Sequence, residues 1–374
     1  MNADPLNHEA ITAEPRGVSH ASESRLLEIR REAETKGKIQ TAGVRPPGAP
    51  FPVASPETGY YGIHLLKEPQ WTPEIPMYFF IGGAAGASST IGTIAEWTGL
   101  DPKIARDARW VAALGAIASS GLLISDLGRP SRFLNMLRVF KPQSPMSVGA
   151  WTLAAFGTFS GANLFAQLMQ DYLGSNVVIS LLKHSSQALT MLFGLPLHNY
   201  TGVLIGATAI PVWNHNIRSL PIHFGTSGLE AGTSILELMG NENSTALNLI
   251  GIGACTLETY EGYHLERKRD PIVNEPLKHG VSGWITRAGG VLSGPIPLAL
   301  RLAALVSGNP KRLRRAAAIS GIAGSILTRY GWVRAGSASA RDWRLPIEAK
   351  GVKVPHSLEK LQSKPELPQV KAAV

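Results

Sequence analysis

Eight stretches of roughly 20 residues, each poor in charge, follow one another between two polar ends of the chain. They lie near 75–96, 108–128, 146–169, 187–209, 219–240, 244–265, 283–306 and 313–334. About 20 mainly apolar residues are what a helix needs to cross the hydrocarbon of a bilayer. The stretches are rich in Gly, Ala, Ser and Thr, most densely at Gly82-Gly83-Ala84-Ala85-Gly86-Ala87-Ser88-Ser89. Small residues let membrane helices approach closely. No period-2 alternation recurs, which argues against a closed barrel. Charged residues are only 17% of the 374, against about 25% in soluble domains. Mean hydropathy is +0.04 although both ends are polar, so the missing charge is missing from the middle. The pattern predicts an all-α integral membrane protein, a bundle of eight transmembrane helices in the cell's inner (plasma) membrane.

The organisation read from this pattern has three parts. Residues 1–59 form a polar N-terminal tail, extended or ordered by a partner, with a short amphipathic segment at Ser22–Glu32 and a proline-rich linker at 45–56. Residues 60–337 form the helical domain, and 338–374 a second polar tail. The first 59 residues hold no apolar core of a signal peptide. Span 4 is the weakest: Val177–Leu182 is apolar, but Lys183, His184, Ser185, Ser186 and Gln187 interrupt it, so it reads as an interfacial lead-in to a span at 187–209. An even number of spans puts both tails on one side. Lys and Arg divide almost evenly between the two sets of connections, which leans only slightly to cytoplasmic tails. There is no strong internal repeat.

The single cysteine excludes a disulfide framework, a self-contained iron–sulfur cluster, a Cys-rich zinc site and a covalently attached c-type haem. Histidines recur at no convincing axial spacing, so no haem is expected. A net charge of +9 lies in short connections and tails. With no nucleic-acid motif, it reads as topology or docking charge, with membrane lipid as the contact.

Ionisable residues inside spans are costly, about 2.5–3.5 kcal/mol each on insertion scales, so each needs a reason. Glu74 and Tyr78 lie one turn apart on one face of span 1. A carboxylate beside a phenol can hydrogen-bond a quinone carbonyl and pass a proton. It can equally be a solvated Glu beside an interfacial Tyr. Asp126, at the end of span 2, is set to pair with Arg129 or Arg132, or to load and unload protons. His223, Glu230 and Glu237 are spaced by seven, so they share a stripe about 21 Å long on span 5. That suits a proton relay or a polar helix seam. Glu258, Glu261 and His264 on span 6 extend a proton route or form an interfacial cluster with Arg267 and Lys268. Tyr200 is a second phenol within an apolar run, or a packed tyrosine bonded to a carbonyl.

Four ordered motifs then point to a family. They are Tyr60-Tyr61-Gly62 with Lys67–Trp71 and Ile75–Gly83; Asp126–Phe133; Ser144–Trp151; and Tyr200-Thr201-Gly202 with Pro211–Asn214. Together they resemble the NrfD/polysulfide-reductase membrane-subunit family over roughly residues 58–335. The resemblance implies an eight-helix subunit without haem or iron–sulfur cluster of its own. Such a subunit exchanges electrons between the quinone pool (menaquinone or ubiquinone) and a ferredoxin-like iron–sulfur subunit. That partner serves a molybdopterin or multihaem catalytic subunit, and this chain alone completes no redox reaction. The quinone pocket is implied near the first and fourth helices, on the partner's side. By position, Glu74, Tyr78 and Tyr200 fall at its ligands, and Asp126 and Arg129 in the second-helix motif. A polysulfide-reducing member has Asn and His at the first-helix positions, so the ligand chemistry here departs. Arg129, Arg132, Arg138 and Lys141 form the partner-docking rim. Asp126, His223, Glu230, Glu237, Glu258 and Glu261 are the proton-transfer set. A proton conductor or transporter, and a purely structural anchor, are the competing readings.

Overall fold

The computed structural model describes residues 66–267 and 272–342. The chain divides into two units, Met1–Gly59 and Tyr60–Val374, and every described residue lies in the second. The segment at Ser22–Glu32, the linker at 45–56, the Tyr60-Tyr61-Gly62 motif and the C-terminal tail past 342 lie outside the described residues.

The described residues are helical throughout. In chain order they form α1 (Glu74–Trp97), α2 (Pro102–Ser125), a 3-10 helix (Pro130–Leu137), α3 (Pro145–Leu173), α4 (Val177–Gly206) and short α5 (Pro211–His215). Then come α6 (Leu220–Leu236), running into a π turn (Glu237–Asn241), α7 (Thr245–Arg267), short α8 (Glu275–Lys278), α9 (Gly280–Ser293), α10 (Pro295–Val306) and α11 (Pro310–Arg341). Local chemistry sets the starts. Asp101 caps α2 by accepting from the Lys103 amide, and Asn176 caps α4 by accepting from the Ile179 amide at 2.8 Å. Pro102, Pro145 and Pro310 occupy first positions, where a missing N–H costs nothing.

Three elements among the described residues are long and apolar enough to cross a membrane: α2, α4 and the α9–α10 pair. α1, α3, α7 and α11 are of comparable length with hydropathy lowered by small and polar residues, and α6 reaches that length only with its π turn. Two boundaries differ from the sequence reading. The Lys183–Gln187 stretch does not interrupt α4, because its polar groups find partners in the bundle. Lys183 pairs with Glu96 at 3.0 Å, and Gln187 accepts from Arg109 at 3.0 Å. The seventh span is two helices, broken at Gly294, with Pro295 starting the second.

The bundle is polar inside and apolar outside. Ser88, Ser227, Thr233, Glu230 and Arg301 are buried, while Ile117, Leu181 and Trp284 are exposed. α1 is central, packing on α2, α4, α6 and α11. At the α1–α4 crossing a Cβ on Gly86 would lie 2.7 Å from the Gly194 carbonyl oxygen, so only glycine permits this approach. Gly240 holds the left-handed conformation (φ 93°) that ends the π turn.

Trp213 is wholly buried. It stacks on Trp71 at 5.0 Å and donates to the Trp332 carbonyl at 2.8 Å. A Cβ at Gly336 would fall 1.9 Å from its ring. Gly336→Ala is therefore expected to destabilise the detergent-solubilised protein by about 1–3 kcal/mol. Gly290→Ala, whose Cβ meets nothing within 4 Å, should be neutral or stabilising by up to about 1 kcal/mol. Paired thermal-unfolding curves check both.

Candidate functional site

At the end of the bundle where α1 and α3 begin, Tyr78 enters a buried cluster with Phe79, Leu153 and Phe156, and a second buried phenol, Tyr200, lies within electrostatic reach of it. Tyr78 stands on the inner face of α1, 2% exposed. Among the described residues none hydrogen-bonds its hydroxyl. Gly82, one turn on, lies between it and Ser119 of α2: an added Cβ there would be 3.5 Å from each. The Ser119 hydroxyl is buried and unpartnered. One turn before Tyr78, half-buried Glu74 keeps a buried carboxylate oxygen, Oε2, without a partner. Tyr200, on α4, reaches to the start of α3. Its hydroxyl donates to the Pro145 carbonyl, and its ring fills the space a side chain at Gly149 would need. Tyr200 has thus spent its one proton on a backbone carbonyl and keeps only acceptor capacity.

Asp126 follows the last residue of α2. Its carboxylate accepts from the hydroxyl and the amide of Thr72, ahead of α1. This corrects the expected pairing with Arg129 or Arg132. The chain turns into the 3-10 helix after Gly128, and both arginines point to solvent, as do Arg138 and Lys141. The four form an exposed basic rim with Leu134, Val139 and Phe140 between them.

The second half of the bundle holds a buried charged column. Glu230 and Glu237, on α6, share one cation: Arg301 of α10 donates to Glu237 at 2.7 Å and to Glu230 at 3.0 Å, all three side chains being wholly buried. Ser234 adds a bond to Glu230. Glu258 of α7 accepts from Ser293, the last residue of α9, at 2.7 Å. Arg329 of α11 donates to the hydroxyls of Ser227 and Ser325, both at 2.7 Å, and to the Phe224 carbonyl. Each of the three carboxylates retains one buried oxygen without a partner, a place to hold a proton or accept from water. Nearer the phenol end, His223 lines a cavity of ≈ 20 Å³ with Glu261, His264 and Trp332. The stripe expected on span 5 is real in placement, but an arginine clamps its two acids together.

A second cluster lies in the other half, at the end away from the phenols. Arg109 of α2 bonds Glu96, Gln167 and Gln187, and with Asn163 and Thr190 it lines a cavity of ≈ 10 Å³. The structure brings Glu74, Tyr78 and Tyr200 to one end of α1–α4, and His223, Glu230, Glu237, Glu258 and Glu261 into the half built on α6 and α7. Asp126 and the basic rim lie near the phenols, outside the charged column. Among the described residues no three His, Cys, Asp or Glu are placed to hold a metal ion.

The sequence reading found the acids and missed their cations, Arg301 and Arg329. The signal was available, since each is a lone arginine in an apolar run (PLALRLAAL, AGSILTRYGW). The cost that marks an intramembrane acid marks an intramembrane base equally.

Removing Arg301 leaves two acids in one buried place. Arg301→Leu should cost about 3–5 kcal/mol of stability. Arg301→Lys should fall between, because an ammonium has no planar fork to bridge two carboxylates. Adding Glu230→Gln and Glu237→Gln to Arg301→Leu should recover most of the loss in thermal-unfolding midpoint.

Residues 67–241 match the family model described as Polysulphide reductase, NrfD. No curated protein matches the chain. The matched segment starts just before α1 and stops at the last residue of the π turn, so it holds both phenols, Glu74, Asp126, the basic rim and the α6 stripe. Over residues 67–241 this multi-pass integral membrane protein belongs to the NrfD polysulphide-reductase membrane-subunit family.

Proposed function

We propose that the chain is the quinone-reactive subunit of a respiratory oxidoreductase complex, the kind of complex this family serves, and that eight rods cross the bilayer. These are α1, α2, α3, α4, α6 with its π turn, α7, α9–α10 and α11. What supports the head-group site is the meeting of two buried phenols with two buried oxygens that lack partners, Glu74 Oε2 and Ser119 Oγ. Unpartnered oxygens gathered at the end that holds two phenols suit a ligand with hydrogen-bonding oxygens at its edge. The head of menaquinone or ubiquinone has that chemistry, and when bound as quinol it supplies two electrons and two protons.

Each residue has a distinct part. The Tyr78 hydroxyl donates to a ligand oxygen. The Tyr200 oxygen, its proton already on Pro145, accepts from a ligand hydroxyl. Glu74, half-buried at the mouth, takes a proton and releases it to water. Ser119 offers a further donor or acceptor deeper in. Electrons leave to a ferredoxin-like iron–sulfur partner docked on Arg129, Arg132, Arg138 and Lys141, where exposed cations favour an acidic surface. A molybdopterin or multihaem subunit would complete the complex.

Quinone-analogue binding to the detergent-purified complex tests the site. Tyr78→Phe and Glu74→Gln should each weaken binding about 3–10-fold, the worth of one hydrogen bond. Saturable binding untouched by both would move the site elsewhere. An intact complex with no saturable binding would overturn the quinone reading and leave a structural anchor.

The charged column favours a second role, proton transfer. A broken helix beside a buried acid, as at Gly294 and Glu258, is a device of membrane ion pathways. Glu258→Gln should preserve quinol oxidation in proteoliposomes while lowering coupled proton movement by more than half. Equal coupling in wild type and variant would remove the column from any proton route.

A further inference from the structure

A cleft with a cavity volume of ≈ 90 Å³ opens between α2, the 3-10 helix and α3. Leu123 and Leu127 form one wall, Ala150 and Ala154 the other, and Phe133 and Met136 the roof. α2 and α3 close up at Ala116 and Gly157, where an added Cβ on Gly157 would lie 3.7 Å from that of Ala116. From there toward Asp126 the two helices part, and small alanines on α3 leave the gap unfilled. Residues three apart in a 3-10 helix eclipse one another, so Phe133 and Met136 turn down into the cleft together. Leu134, between them, is 61% exposed on the outside.

The cleft adjoins the phenol site through consecutive residues on both walls. On α2, Ser119 faces Gly82, one turn from Tyr78, while Ser120 lines the cleft; on α3, Gly149 seats the Tyr200 ring while Ala150 lines the cleft, and Leu153 belongs both to the cleft and to the Tyr78 cluster. Outward it gives onto exposed apolar surface at Ile117 and Met146. An apolar slot leading from a polar head-group site to the lipid phase suits a chain attached to that head group.

We infer that this cleft holds the first isoprenoid units of the quinone's tail and is the route by which the head group enters from the bilayer. The inference rests on the head-group site proposed above. Selectivity for a long tail then resides in the α2–α3 gap and its 3-10 roof, apart from the residues that bond the head.

Two probes separate the parts: a benzoquinone head without a tail, and the same head carrying a decyl chain, each titrated into the purified complex. In the wild type the decyl probe should bind at least tenfold more tightly. Ala154→Phe, which fills the cleft, should cut that tail gain at least tenfold while changing the tailless Kd less than twofold. An unchanged tail gain in Ala154→Phe overturns the cleft alone. Failure of the tailless head to bind the wild type overturns the head-group site and the cleft with it. Should Ala154→Phe not assemble, a decyl probe with a diazirine on its chain decides on the wild type. Adducts within residues 120–137, displaced by excess quinone, support the cleft. Adducts elsewhere, or equal labelling by an acyl-diazirine phospholipid that quinone does not displace, overturn it in favour of a lipid site.

Discussion

Arg301 is the cation on which the second half of the bundle depends. A helix surrounded by lipid has no water with which to solvate a carboxylate, so Glu230 and Glu237 are held in the interior only with a partner. A guanidinium supplies it for both at once because its planar fork presents several donors. The demand shapes the fold around it: α10 packs on α7 and α11 with its arginine reaching α6, and the chain arrives there by a break in the seventh rod at Gly294. A side chain at Gly251 on α7 would fall within 2.6 Å of the Arg301 guanidinium, so the neighbouring helix carries no bulk there. Arg329 repeats the solution one layer on, held by the hydroxyls of Ser227 and Ser325.

The two halves use polarity differently. In the α6–α11 half, charges neutralise one another and run through the interior. At the mouth of the α1–α4 half, neutral phenols and a hydroxyl gather with only Glu74 charged, and some of their polar atoms lack partners. Both halves keep buried oxygens without partners; beside neutral phenols such oxygens suit a hydrogen-bonding ligand, and on paired carboxylates they suit a proton. This contrast is why the head group is assigned to the first half and proton traffic to the second.

The 3-10 segment links these themes at the surface. It carries Arg132 outward, with Arg129 and Arg138 at its two ends, and two apolar side chains inward, so one short element faces both the basic rim and the α2–α3 cleft. Tyr200 ties the start of α3, the cleft's far wall, to α4 through Pro145. A change in that bond would be felt in the head-group site and in the cleft together.

Apolar run length, small-residue density and the absence of alternation made the helical membrane fold legible in the sequence, because a helix in lipid must satisfy its own backbone. Periodicity placed His223, Glu230 and Glu237 on one stripe, and Glu74 with Tyr78 on one face, since both follow from helix geometry alone. The partners were decided only in three dimensions. Arg301 lies far from Glu230 in sequence and meets it only when α10 folds back. Asp126 passes over the arginines three and six residues away for Thr72, because the chain turns into a 3-10 helix that carries those arginines outward. The continuity of α4 through Lys183 and Gln187 likewise depends on Glu96 and Arg109 waiting on other helices. Spacing along a chain determines which residues share a face; which face meets which is a matter of packing, and there the charges find their partners.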